Sequence, residues 1–103
     1  MANGDTTNGE VIEFILSGEK LLSENANNLD LVAKAGDNLY RKNRDFIREK
    51  VKDNWFVIIE PISGTFLACS SQLKLFEYAQ EKFPERLFHS IGLLKNNSLQ
   101  YAR

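Results

Sequence analysis

The sequence predicts an α+β domain, and three observations predict it. Apolar residues recur at three- and four-residue steps through the N-terminal half. Two short runs of aromatic and β-branched residues then flank a Pro-Ile-Ser-Gly turn, and a bounded helical stretch leads to a last apolar run. Helices grouped ahead of strands, rather than alternating with them, set this pattern apart from an alternating α/β fold.

In chain order, Val11, Ile12, Phe14, Ile15, Leu16, Leu21 and Leu22 carry the spacings 11-15-22 and 12-16, which predict an amphipathic helix from residue 10 to about residue 24. Gly18 weakens that helix by about 1 kcal/mol relative to Ala and marks a kink or break. Asn25 to Asn28 is a loop or cap signal, because Asn competes for backbone hydrogen bonds. A second helix is expected from Leu29 to Lys52, on a stripe of Leu29, Val32, Ala35, Leu39, Tyr40, Phe46, Ile47 and Val51. Gly36 is expected to divide it, with Asp37 or Asn38 capping the second part.

Asp53 and Asn54 end the helical region, and Trp55 to Glu60 has the residue types of a strand. Pro61 and Gly64 supply the fixed and the permissive φ of a tight turn, so Thr65 to Cys69 is the returning strand of a hairpin. Ser70 or Ser71 caps a helix carrying Leu73, Phe76, Tyr78, Ala79 and Phe83, which Pro84 closes. Leu87 to Leu94 is the third strand. A short crossover places that strand beside the first, in order 2-1-3. Domain boundaries follow: a tail over 1–9, one domain over 10–94 (helical to 52, ββαβ from 53), and a tail over 95–103.

Length and charge narrow the classes. The 103 residues suit one domain, and 43% hydrophobic with 26% charged residues is a globular composition. A net charge of −1 projects no strong field toward a polyanion. Cys69 is the single cysteine and has no internal partner, which fits a reducing compartment, so the cytoplasm is the expected location. The polar start at 1–9 lacks the apolar region of a secretory signal. The longest apolar run, Trp55 to Ile59, falls far short of the ~20 residues of a membrane span.

The segment from Tyr40 to Leu94 resembles a small bacterial domain family of unknown function. That family runs from a basic helix into a Lys-Trp-Val-Ala-Ile-like strand, a Gly turn, a second strand, a helix and a final apolar strand. The matching residues are Asp53 to Ile59, Gly64, Leu73, Phe76, Ala79 and Phe88 to Leu94. Asp53-Asn54 stands where the family has Gly-Lys. The resemblance implies a small helix-then-ββαβ module and carries over no catalytic residue.

Candidate sites are few. Cys69 and His89 form the single thiol and imidazole combination, but in a 2-1-3 sheet they sit on flanking strands about 10 Å apart, two spacings of ~4.8 Å. One His and one Cys do not make a metal site, and the scattered glycines form no phosphate loop, so no metal and no cofactor is expected. Arg41, Lys42, Arg44 and Arg48 are the candidate phosphate-binding residues on the basic stretch 41–52. The central strand is apolar on both sides: Trp55, Val57 and Ile59 face one way, Phe56 and Ile58 the other. These five are the candidate interaction surface, covered either by the N-terminal helices or by a second copy in a homodimer. The expected function is therefore a non-catalytic protein-interaction module that self-associates. The alternative is a small nucleic-acid-binding or antitoxin-like regulator using the basic helix.

Overall fold

The computed structural model of the chain describes residues 10–52, 54–93 and 99–101. The expected N-terminal tail lies outside these residues. In the first apolar run a period of two prevails over helical spacing. Ile12–Ile15 is a strand, β1, and Gly18 beyond it adopts φ +128°, which a helix forbids. The helix expected over 10–24 is thus corrected to a strand followed by a 3₁₀ turn at Ser23–Asn25. Strand pairing supplies what a four-residue segment cannot supply alone.

Helix α1 runs over Leu29–Lys42, and the Asn28 side chain caps it by accepting from Leu31 N at 3.1 Å. It continues through Gly36 without a break. Gly36 is there for clearance: a Cβ at this position would stand 2.3 Å from His89 Cβ, so the missing side chain lets the helix press on the sheet. The expected division falls instead at Asn43, after which α2 spans Arg44–Lys50. The Asn43 carboxamide donates to Ser17 O and Leu39 O, both at 2.8 Å, and accepts from Ser17 N at 3.3 Å, tying this elbow to the segment after β1.

The hairpin comprises β2, Phe56–Glu60, and β3, Thr65–Cys69. Gly64 sits at φ +79° in its turn. Glu60, only 1% exposed, organises that turn from inside: its carboxylate accepts from Ile62 N, Ser63 N and Ser63 Oγ and pairs with Arg86 Nη1 at 3.0 Å. Helix α3, Gln72–Lys82, is capped by Ser71, and β4 follows over His89–Leu93. The stretch 95–103 is not wholly a tail, because Leu99–Tyr101 forms β5 against β4.

The sheet is antiparallel throughout, in the order β1-β3-β2-β4-β5. The α+β class stands, while the three-stranded sheet expected from the sequence is extended by an edge strand on each side. Both faces are covered within the chain. Leu39, Tyr40 and Ile47 of α1 and α2 pack on Val57, Ile59, Phe66, Ala68 and Ile91, with Trp55 and Leu16. Leu75 and Ala79 of α3 pack on Ile58, Leu67 and Cys69. Each large apolar side chain so buried contributes roughly 1.5–3 kcal/mol, which is why a strand apolar on both faces recruits both layers. Among the described residues no helix is long and apolar enough to cross a membrane.

Candidate functional site

With both sheet faces covered, the sheet still ends in open edges, and β1 forms one of them. Leu16 N donates to Gly64 O at 2.9 Å, so in the register Ile12↔Ala68 to Ile15↔Thr65 the residues bonded to β3 are Ile12, Phe14 and Leu16. The N–H and C=O groups of Glu13 and Ile15 consequently point away from the sheet.

The side chains of β1 divide between the two layers. Ile12, Phe14 and Leu16 lie on the α1–α2 side, where Phe14 meets Phe46 of α2 edge-on at 5.3 Å and stacks near Phe66 at 6.0 Å. Lys50 Nζ stands 5.6 Å from the ring centres of both Phe14 and Phe46, within cation–π range. On the α3 side, an open groove of about 830 Å³ runs between β1 and α3, lined by Glu10, Val11, Lys74, Tyr78 and Glu81 among others. Ile15, 65% exposed, projects on this same side.

Glu13 is the one charge on the strand, and its own helix holds it. Tyr78 Oη donates to it at 2.9 Å and Lys82 Nζ lies 3.0 Å away. Burial pushes the Glu13 carboxyl upward, but the bonds from Lys82 and Tyr78 outweigh it and leave the group below its ordinary value. The same contacts raise Tyr78 and Lys82. An edge strand is commonly guarded by a charge that repels another strand. Here that charge is neutralised from within.

The expected interaction surface is placed elsewhere. Trp55, Val57 and Ile59 are buried under α1 and α2, Ile58 is buried under α3, and Phe56 beside it is half-buried. The basic residues separate. Arg41 pairs with Asp37 at 2.7 Å, one helical turn away. Lys42 lies over Gly18 at a second groove, of about 580 Å³. Arg44 and Arg48 both stand near the buried Tyr40 hydroxyl, which has no well-formed hydrogen bond among the described residues. Burial raises its pKa against the pull of Arg48 and Arg44.

Cys69 and His89 are on opposite faces of the sheet, Cys69 beneath α3 and His89 against Gly36 of α1, so no thiol–imidazole pair forms. Among the described residues no group of three or more His, Cys, Asp or Glu side chains comes together for a metal ion. Sequence reasoning missed β1 and with it Glu13, Ile15, Phe46 and Tyr78 as site residues. The available signal is slight: Glu13 is the single polar residue among residues 11–16, and the five apolar ones fit either period. No family model matches the chain, and neither the curated proteins nor the solved structures contain a match. The resemblance drawn over residues 40–94 therefore rests on those residues alone.

Proposed function

We propose that the chain is a non-catalytic protein-interaction module that takes up an extended segment along the open edge of β1. The observation that carries this reading is the outward N–H and C=O of Glu13 and Ile15, bordered by Phe14 on the α1–α2 face and, on the other, by Val11, Ile15 and Tyr78 beside the charged side chains of the α3 groove. Backbone bonds to such an edge supply affinity, and the flanking pockets read alternate side chains. Self-association through the sheet faces loses its motive, because α1, α2 and α3 already cover them. The interaction belongs at the edge.

Ile15→Pro tests the reading cleanly. Ile15 makes no ladder bond to β3, so proline there removes the outward donor and leaves the inner ladder intact. A panel of extended, alternately apolar heptapeptides titrated into the labelled protein should shift the amide resonances of residues 11–16 and of Phe46 and Tyr78. Those shifts should vanish in Ile15→Pro. A panel that moves none of them, in a protein that sediments as a monomer and so leaves the edge open, sinks the reading.

One observation favours a second reading, a polyanion-binding regulator. Arg41 and Arg86 are paired with carboxylates, whereas Arg44 and Arg48 lie toward Tyr40 with no carboxylate within ion-pair distance among the described residues. On that reading the protein retards DNA or RNA at low salt, and Arg44→Glu with Arg48→Glu abolishes the retardation.

A further inference from the structure

We infer that the segment taken up along β1 is β1 of a second copy, antiparallel to the first, with Phe14 on the two-fold axis and the two sheets joined into one. The inference rests on the reading of β1 as a receptive edge and names the occupant.

The chain carries both halves of a self-complementary contact beside one edge. The projecting half is Ile15, the most exposed large side chain of β1, on the α3 side. The receiving half is the groove between β1 and α3, where Val11 and Tyr78 form the wall next to Glu13. Centring the pair on Phe14 sets Ile15 of one copy directly opposite Glu13 of the other and diagonal to its Val11, at the mouth of that groove. A two-fold repeats this contact, as an isologous interface requires.

The same register satisfies the backbone and the other face. Glu13 and Ile15 point their N–H and C=O outward, so Glu13 opposite Ile15 is a hydrogen-bonded pair, and Phe14 opposite Phe14 is the closer, non-hydrogen-bonded pair. The two Phe14 rings then meet beneath Phe46 of each copy, which joins the two aromatic clusters into one. Centring on Glu13 instead would set two carboxylates opposite each other, a destabilising arrangement. A net charge of −1 adds little long-range repulsion between copies. The chain's own residues 1–9, MANGDTTNG, are a poor alternative occupant. Beyond Met1 they hold no large apolar side chain for the groove or for Phe14.

Sedimentation of the full chain over a range of concentrations, together with an isotope-filtered NOE experiment on a mixture of labelled and unlabelled protein, tests the inference. The expected result is a dimer with an intermolecular Phe14 Hα to Phe14 Hα contact. Ile15→Asp and Ile15→Pro, each shown by circular dichroism to keep the fold, should sediment as monomers. A monomer at every concentration overturns the inference, as does a dimer that survives both substitutions or lacks the Phe14 contact. Edge amides that are protected in a monomer and released when residues 1–9 are removed also overturn it, in favour of the chain's own segment. If the wild type is monomeric yet binds the heptapeptide panel, the edge stands and the second copy falls. If it does neither, both readings fall.

Discussion

Gly36 of α1 and His89 of β4 touch across a close helix-to-sheet approach, and each gives a residue-scale test. A Cβ at Gly36 would stand 2.3 Å from His89 Cβ, at the root of that side chain where no rotamer change relieves it. Gly36→Ala should therefore cost about 1–3 kcal/mol in urea denaturation despite alanine's better helix propensity. Stability gained by the substitution would show that the approach is slack. Burial lowers the His89 pKa from the ordinary 6.5, and Asp37 only partly opposes it. Because the folded value is the lower one, the unfolded chain takes up the proton first as pH falls. Stability should then decline from about pH 6.5 downward, until the folded imidazole also titrates. His89→Gln should flatten that part of the melting-temperature profile, and an unchanged slope would assign the proton uptake to another group.

At the scale of elements, the parts legible in the sequence are those with punctuation. Pro61 and Gly64 mark the hairpin, Ser71 marks the start of α3 and Asn28 the start of α1, so these elements fall close to expectation. The first strand lacked such marks. Val11, Ile12, Phe14, Ile15 and Leu16 fit a period of 3.6 and a period of 2 equally well over six residues, and pairing with β3 decides between them. β5 is too short, at three residues, for any period to register. Gly36 misled for a different reason: glycine in a helix signals a break locally, whereas its use here depends on His89, more than fifty positions later. The elbow at Asn43 is open to test. Its carboxamide bonds the Ser17 N, Oγ and O, so Asn43→Ala leaves those Ser17 groups to water, while Leu39 O keeps its bond from the residue-43 N–H, and should cost about 1–2 kcal/mol. Amide exchange should quicken around residues 16–20 while the far side of the sheet keeps its protection. Uniform quickening would mean that the elbow is not a local tie.

For the whole molecule, the consequential arrangement is that β2 and β3 belong to two cores at once. Val57, Ile59, Phe66 and Ala68 face α1 and α2, while Ile58, Leu67 and Cys69 face α3 from the same two strands. Neither layer can leave without exposing a strand that the other layer needs, so the domain should unfold as one cooperative unit. Trp55 makes this measurable, because it is the single tryptophan, lies only 7% exposed and belongs to the α1–α2 core. Leu75→Ala, which opens a cavity under α3 on the opposite face, should cost about 2–5 kcal/mol. If the two cores are coupled through the strands, Trp55 fluorescence should report that whole loss, with a denaturation midpoint coincident with that of far-ultraviolet circular dichroism. A fluorescence midpoint left at its wild-type position while the circular dichroism moves would show that the layers unfold separately. The sheet would then be a partition between two small domains rather than the shared wall of one.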